Sequence, residues 1–316
     1  MKEWKIAFVG MGSIGRRHFR NVCSCLARRG DRYQIDLYSH NLSLALEESI
    51  VSRVSVQYEL SESVRADKQY DAVFITNPTT MHFDTLQRFL PMAKAIFLEK
   101  PAFDRPDVDL TQLDGLDDTI CYVACPLRYH PVLCYVKKNV DFRRAYAARA
   151  ISSSYLPDWR PNVDYRTCYS AHRDMGGGVA IDLIHEWDYL TDLFGMPQKG
   201  YALQRKVSGL EIDSEDIASY IADTGKTVLE LHLDYFGHTA IRRLDLFLPE
   251  ETLECDIQNG TIRSGNRLLT FAVSRDVYQT DEIIHFFDIA EGRCENDNTL
   301  ERALRVLRIA KGEFAE

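Results

Sequence analysis

The chain has 316 residues, of which 45% are hydrophobic and 27% charged, and its formal net charge is −9. This length is about twice that of a typical domain, so we expect two domains. The acidic balance argues against nucleic acid or an anionic membrane surface as the main partner. No apolar run reaches the roughly 18–20 residues that a membrane span needs, and the N-terminus lacks a signal-peptide pattern. We therefore expect a cytoplasmic protein.

Short apolar runs alternate with helical patterns over the first part of the chain. Strands at this spacing, with helices between them, predict βαβ units and a parallel sheet. We therefore expect an α/β Rossmann dinucleotide-binding domain over residues 1–127. The predicted strands are 4–10, 33–39, 54–58, 71–77, 95–100 and 120–125, and the predicted helices are 14–29, 43–52, 61–68 and 79–91.

A glycine motif follows the first predicted strand and opens the first predicted helix. Gly10, Gly12 and Gly15 have the G-x-G-x-x-G spacing, which is meaningful in this strand-to-helix context. The first glycine permits a tight turn, the second lets a pyrophosphate approach the backbone, and the third allows close helix–strand packing. The helix N-terminus, with Ser13 and Ile14, adds N–H donors and a positive dipole end.

The end of the second predicted strand bears on the choice of cofactor. A site for NAD usually places an acid here to bind the ribose 2′-hydroxyl. This strand ends instead in Ser39 and His40, and Asp36 lies too early in the strand for that role. The pattern favours NADP and excludes neither cofactor.

The fifth predicted strand ends in Glu99, Lys100 and Pro101. Open α/β sheets bind ligands at the carboxyl ends of their strands. A lysine there can donate a hydrogen bond to a substrate oxygen and stabilise a developing alkoxide.

The second half of the chain has a different pattern. Successive strands with few helices between them predict an α+β domain over residues 128–316 with a largely antiparallel open sheet. After a helix near 130–140, an alternating segment begins near residue 143 and one long helix spans 179–194. The later predicted strands are 198–207, 215–222, 226–235, 239–248 and 251–257, followed by an Asn-Gly turn at 259–260 and helices near 280–291 and 299–312.

Three glycines lead into the long helix of this second domain. Asp182 and His185 are three residues apart, so a continuous helix places them on one face. Histidine titrates near neutral pH and suits acid–base work on an alcohol or ketone. We expect Gly176, Gly177 and Gly178 to let the backbone pass close to substrate and nicotinamide.

Together, the glycine motif, Glu-Lys-Pro after the fifth strand and Gly-Gly-Gly before D-x-x-H resemble the Gfo/Idh/MocA oxidoreductase family. Its members are NAD(P)-dependent dehydrogenases and reductases of sugars, cyclitols and related compounds. The resemblance implies Lys100, Asp182 and His185 as catalytic residues. It also implies a homodimer or homotetramer formed through the C-terminal sheet.

The same resemblance extends the cofactor site. Asn77 and Pro78 would line the nicotinamide side, with His82 opening the next helix. Arg128 would lie near cofactor and substrate, and Glu99 and Lys100 would complete the cofactor-binding set. The cysteines have no zinc-ligand spacing, so we expect no metal.

The implied reaction is hydride transfer between nicotinamide and a carbon that bears a hydroxyl. His185 would take the hydroxyl proton while Lys100 binds the same oxygen, and the protein would supply position and charge.

The tract before the glycine run bears on the substrate. Aromatic rings stack on sugar faces, and arginines bind carboxylates or phosphates. The tract therefore predicts a sugar acid, sugar phosphate or nucleotide sugar, unless its arginines pair with this chain's own surplus acids. The candidate substrate-binding residues are Arg160, Tyr165, Arg166, Tyr169 and Arg173.

Two alternatives remain open. An epimerase or glycosidase could use transient oxidation with bound NAD, and a non-catalytic dinucleotide-binding sensor could share the fold.

Overall fold

The computed structural model describes residues 1–40, 45–60 and 68–314. The chain forms two compact units. One comprises Met1–Ala124 and Arg275–Leu304, and the other comprises Cys125–Ser274 and Arg305–Glu316.

The elements up to residue 124 alternate between strand and helix. They are β1 (Glu3–Val9), α1 (Ser13–Arg29), β2 (Arg32–Ser39), α2 (Glu48–Val51), β3 (Val56–Glu59), β4 (Ala72–Ile75), α3 (His82–Phe89), β5 (Ala95–Leu98) and β6 (Ile120–Val123). The predicted helix over 61–68 lies almost wholly outside the described residues, as does the start of the one over 43–52.

From residue 125 on, strands dominate. The elements are α4 (Pro131–Asn139), β7 (Ala147–Ser153), α5 (Val179–Asp182), α6 (His185–Phe194), β8 (Lys199–Arg205), β9 (Ile217–Asp223), β10 (Val228–Asp234), β11 (Ile241–Phe247), β12 (Thr252–Asp256), β13 (Thr261–Ser264), β14 (Arg267–Thr270), α7 (Arg275–Ala290) and α8 (Leu300–Ala310). None of the described helices is both long and apolar enough to cross a bilayer.

The first unit is built on a parallel sheet of six strands in the order β3-β2-β1-β4-β5-β6. This is the doubly wound order of the Rossmann fold, so the predicted fold is confirmed. The strand order reverses between β1 and β4, which pair directly. Ligands bind at such a switch point, beyond the carboxyl ends of the strands, and the glycine motif follows β1 there.

Helix α7 packs with the first unit through aromatic contacts. Phe286 lies 5.4 Å from both Phe74 of β4 and Phe97 of β5, and Phe287 lies 4.7 Å from Trp4 of β1, measured between ring centroids. The division of the chain therefore differs from the predicted boundary at 127/128, because a segment from far along the chain completes this core. Its apolar spacing predicts a helix but does not indicate which sheet the helix covers.

The second unit contains an eight-stranded sheet in the order β14-β13-β12-β11-β7-β10-β9-β8. All neighbouring strands are antiparallel except β7 and β10, which are parallel. Side chains alternate across the sheet: Leu229, Leu231 and Leu233 of β10 are buried, whereas the intervening Glu230 and His232 are partly exposed. The predicted open, largely antiparallel sheet is confirmed.

His130 makes the stability of the second unit depend on pH. Its Nδ1 accepts a hydrogen bond from the Val132 N–H (3.3 Å) and so caps α4. Burial, aided by the charge of Arg242, lowers the pKa of His130 to about 4. A histidine in an unfolded chain titrates near pH 6.5. Between about pH 6.5 and pH 4, His130 is therefore protonated in the unfolded chain but neutral in the folded one.

We therefore expect the free energy of unfolding to be highest, as far as His130 is concerned, above about pH 6.5. It should fall by about 3 kcal/mol as the pH falls to about 4. His130→Asn keeps a capping acceptor that does not titrate. Urea unfolding of both proteins at pH 7 and pH 5 should show the smaller pH dependence in the variant. An equal dependence in both proteins would contradict the assignment.

Candidate active site

The three glycines after β1 have three different surroundings. Gly10 has φ +89°, and a Cβ there would lie 2.8 Å from the Cα and N of Asn77. A Cβ at Gly15 would lie 2.6 Å from the Gly10 carbonyl oxygen and from Thr76 Oγ1. A Cβ at Gly12 would have no atom within 4 Å. Two glycines therefore permit close packing within the unit, and the middle one faces open space.

This arrangement fits a dinucleotide phosphate. The open space at Gly12 adjoins the N-terminus of α1, where Ser13, Ile14 and Gly15 carry N–H groups that precede the first intrahelical bonds. Helix N-termini of this kind bind anions through their N–H groups and dipole. The loop thus combines open space at Gly12 with backbone N–H donors, the two features that a pyrophosphate site requires.

At the end of β2, Ser39 is buried and His40 is exposed. Asp36, within the strand, is already engaged. It accepts hydrogen bonds from Tyr70 Oη (2.8 Å) and Lys68 Nζ (3.1 Å). Asp36 is therefore an internal partner of this unit, as its early position in the strand predicts.

The loop after β4 is held by His82. The ring contacts the Asn77 carbonyl through Nε2 (3.1 Å) and the Pro101 and Ala102 carbonyls through Nδ1 (3.1 and 3.0 Å). Burial lowers the pKa of His82, although these carbonyls oppose the shift. His82 therefore ties the loop after β4 to the turn after β5.

Asn77 is a buried polar residue of this loop. Its Nδ2 donates to Thr85 Oγ1 (2.8 Å), while its buried Oδ1 has no hydrogen-bond partner among the described residues. A buried acceptor without a partner costs free energy, so a ligand N–H group would be stabilising here. Pro78 follows at the exposed start of the next turn.

Glu99 is buried beside Lys100 and pairs with a residue that the sequence analysis missed. Its Oε1 contacts His18 Nε2, and its Oε2 accepts the backbone N–H of Lys100 (3.0 Å). Burial opposes ionisation of Glu99, but His18 and Lys100 outweigh it and lower its pKa. The ionised carboxylate is an acceptor only, so His18 is the donor. The signal for His18 was its place three residues after Gly15, on the buried side of α1.

Asp182 lies at the centre of a polar cluster in the second unit. Tyr235 donates to its Oδ2 (2.5 Å), and Tyr169 also hydrogen-bonds to it. Burial and the charge of Asp182 raise the pKa of Tyr235, so the phenol stays protonated and donates. Tyr235 was not predicted as a site residue, since its strand pattern indicates only a buried position.

The predicted helix over 179–194 is wrong in one respect, because it is broken. Asp182 ends α5 and His185 begins α6, with Leu183 in a non-helical conformation (φ −99°, ψ 28°) between them. Leu183 and Ile184 stay buried across the break. The apolar spacing therefore continues while the backbone does not. Asp182 and His185 flank the break and do not share one helical face.

The glycine run before α5 packs against other segments of its own unit. A Cβ at Gly177 would lie 2.1 Å from the Tyr169 carbonyl oxygen, and one at Gly178 would lie 2.1 Å from Glu215 Oε1. Gly177 therefore packs closely within its own unit, and Gly178 has φ +129°, a conformation that favours glycine. The expected approach to substrate and nicotinamide stays a prediction.

Arg128 is buried and engaged by α6. Its Nε and Nη2 donate to the two oxygens of Asp188 (2.9 and 2.6 Å), and its Nη1 lies 3.8 Å from Asp192 Oδ1. Burial opposes its charge, but these carboxylates prevail and raise its pKa. The contacts described for Arg128 thus include a bidentate ion pair that fixes the turn after β6.

The tract before the glycine run separates into two groups. Arg166 binds Asp164 (2.8 Å) and Glu211 (3.2 Å), Arg173 donates to the Asp213 carbonyl oxygen (3.2 Å), and Tyr165 accepts from the Glu211 N–H (3.1 Å). These three residues pair with the chain's own groups. Arg160 lies over the Tyr169 ring (5.5 Å from the centroid), hydrogen-bonds to Cys168 and is close to Asp182.

The strand order, the glycine cradle and the polar carboxyl edge define a dinucleotide-binding Rossmann protein with an α+β second unit. Residues 4–112 match the model described as "Oxidoreductase family, NAD-binding Rossmann fold". Over these residues the chain matches the Gfo/Idh/MocA family, which its motifs resemble.

A curated relative matches part of the chain. Inositol 2-dehydrogenase of Rhizobium meliloti is 26% identical over 202 residues, which cover 60% of this chain and 55% of that protein. The chain spans about half the length of the first curated relatives that it matches.

Two solved structures have the same fold over nearly the whole chain. UDP-N-acetylglucosamine 3-dehydrogenase GnnA from Acidithiobacillus ferrooxidans has a TM-score of 0.77 at 19% identity, covering 98% of this chain and 96% of that one. Levoglucosan dehydrogenase in complex with NADH and L-sorbose has a TM-score of 0.84 at 15% identity, covering 99% and 96%.

The glycine loop allows a matched pair of substitutions. We expect Gly15→Ala to destabilise the ligand-free protein by about 1–3 kcal/mol, because the new methyl group collides with backbone. Gly12→Ala should change its stability by less than about 1 kcal/mol, since the space is open and φ is −68°. Urea unfolding without dinucleotide measures both, and equal effects would contradict the described packing.

Proposed function

We propose that this chain is an NAD(P)-dependent dehydrogenase or reductase. It would transfer a hydride between nicotinamide and a hydroxyl-bearing carbon of a sugar or sugar derivative. The observation that supports this best is the open space at Gly12 beside the N-terminus of α1, with Lys100 following a strand of the same sheet. The family assignment and the sugar and cyclitol dehydrogenases among the similar proteins support the same class.

The residues of the first unit would hold the cofactor. Gly10, Gly12, Ser13, Ile14 and Gly15 would bind the pyrophosphate through backbone groups. At the other loops, Ser39 and His40 would face the adenosine ribose, and Asn77 Oδ1 would accept from the carboxamide beside Pro78. His82 and Glu99 would hold these cofactor-binding loops in place. The Ser39 hydroxyl and the missing acid favour NADP, and the family description favours NAD, so both are to be compared.

When bound, the nicotinamide supplies the hydride acceptor or donor. In the oxidative direction, Lys100 would bind the substrate oxygen and stabilise negative charge on it. His185 would accept the hydroxyl proton. Asp182, held in place by Tyr169 and Tyr235, would help to position the substrate. Reduction would use the same groups in reverse.

Arg160 and Tyr169 are the residues that we propose to recognise the substrate. Their stacked pair lies beside Asp182, so a sugar ring carrying a carboxylate or phosphate would find an aromatic edge and a cation together. Arg166, Arg173 and Tyr165 would contribute less to binding, because the chain's own acids and backbone already engage their side chains.

The catalytic roles are tested with sugars, sugar acids, sugar phosphates and nucleotide sugars, each assayed with NAD and NADP. Lys100→Met and His185→Ala should each lower kcat by about 100-fold or more, and in His185→Ala NADH binding, measured by fluorescence, should change little. Gly12→Ala should instead weaken NADH binding by about 10-fold, since the methyl group occupies the cradle.

Turnover unchanged in both catalytic variants would refute the assigned roles. Substrate conversion without net change in cofactor absorbance would indicate transient oxidation, as in an epimerase or glycosidase. NADH binding without conversion of any member of the panel would favour a sensor.

We also propose a homodimer or homotetramer formed through the outer face of the large sheet. That face exposes Tyr201 (83%), Leu203 (56%) and Ile221 (59%) on two neighbouring strands. Exposed apolar patches of this kind mark interfaces. Light scattering should show an oligomer that Ile221→Glu dissociates, whereas Val277→Glu, an exposed residue of the first unit, should not. A wild-type monomer would refute the proposal.

A further inference from the structure

A buried histidine links the dinucleotide loop to the lysine of the proposed site. His18 lies on α1 and is fully buried, and its Nε2 contacts Glu99 Oε1. Its Nδ1 has no hydrogen-bond partner among the described residues. Glu99 is therefore the polar partner that the structure gives this imidazole, inside a unit where an uncompensated charge would be costly.

Strand geometry explains why this contact forms. Phe97 and Glu99 are two residues apart, so in extended backbone their side chains lie on the same side of the sheet. Both contact His18: the Phe97 ring meets the imidazole edge-on at 5.0 Å, and the Glu99 carboxylate receives its N–H. The imidazole is thus held by packing and by a charge-assisted hydrogen bond.

Glu99 passes this constraint to Lys100 through the main chain. Its second oxygen accepts the Lys100 N–H at 3.0 Å, so the carboxylate bonds to α1 with one oxygen and to the lysine backbone with the other. Rotation of the carboxylate would break both bonds. The orientation of the chain at Lys100 therefore depends on a donor located on a different element.

The start of α1 cannot shift along the sheet to accommodate a change. Gly15, three residues before His18, packs so closely that a methyl group would lie 2.6 Å from the Gly10 carbonyl oxygen and Thr76 Oγ1. The helix turn that presents His18 is therefore fixed relative to the glycine loop. Loop, histidine, carboxylate and lysine backbone form a continuous chain of contacts within one unit.

We propose that His18, acting through Glu99, is a positioning residue that holds Lys100 in register with the dinucleotide loop. The proposal rests on the proposed function, since it assigns a purpose to the position of Lys100. The proposal adds His18, on the helix that follows the glycine motif, to the residues on which turnover depends. A merely structural pair would stabilise the unit without affecting the lysine.

The experiment compares His18→Leu, which removes the donor, with His18→Gln, whose side-chain amide can reach Glu99. Phe19→Leu is the control, because Phe19 is equally buried on α1 and packs on Phe8 at 5.2 Å. We expect His18→Leu to lower kcat by about 10-fold or more, with NADH affinity changed less than about threefold. His18→Gln should recover part of kcat, and Phe19→Leu should lower Tm with kcat retained.

A second measurement does not need turnover. Exchange of the Lys100 backbone amide with solvent, measured by NMR, should be about 10-fold faster or more in His18→Leu than in wild type or Phe19→Leu. In His18→Gln the exchange should be slower than in His18→Leu. If wild type lacks activity but its Lys100 amide still depends on His18, the proposed function fails and the positioning link stands. Unchanged Lys100 exchange in His18→Leu, or a kcat loss matched by Phe19→Leu, would overturn the proposal.

Discussion

The close approach of the glycine loop to the loop after β4 is the constraint on which the first unit depends. Gly10 and Gly15 leave no room for a methyl group against Asn77, Thr76 and the loop's own carbonyl. Backbone packed this tightly transmits displacement because protein interiors do not yield easily. The position of α1, the open space at Gly12 and the acceptor on Asn77 all follow from this contact at the switch point of the sheet.

Buried charges around the candidate sites are each held by partners close at hand. Glu99 has His18, Asp182 has Tyr235 and Arg128 has Asp188. Burying a charge is costly unless it is paired and hydrogen-bonded, so these groups cannot turn freely toward a ligand. In both units, these buried charged side chains are therefore oriented by their partners in the ligand-free protein.

The tract before α5 shows how composition alone misleads about binding. Its arginines and tyrosines share one sequence neighbourhood, yet their partners differ. The side chains of Arg166 and Arg173 bind acids or backbone, whereas Arg160 hydrogen-bonds to Cys168 and lies over Tyr169, close to Asp182. Short-range acids, such as Asp164 two residues before Arg166, satisfy surface cations at little cost. An arginine's identity therefore indicates what it can bind, and only its surroundings decide whether it is available to do so.

The sequence by itself determined the parallel order of the first sheet, the glycine loop and the location of Lys100, because these depend on local periodicity and on backbone freedom at glycine. Tertiary structure alone decided four further features. It joined α7 to the first unit, broke the helix between Asp182 and His185, placed Gly177 and Gly178 against their own unit, and brought His18 to Glu99 and Tyr235 to Asp182. Apolar spacing predicts that a residue is buried, but it does not indicate which residues it packs against. Contacts between residues far apart in the chain are therefore set by packing, which no local pattern contains.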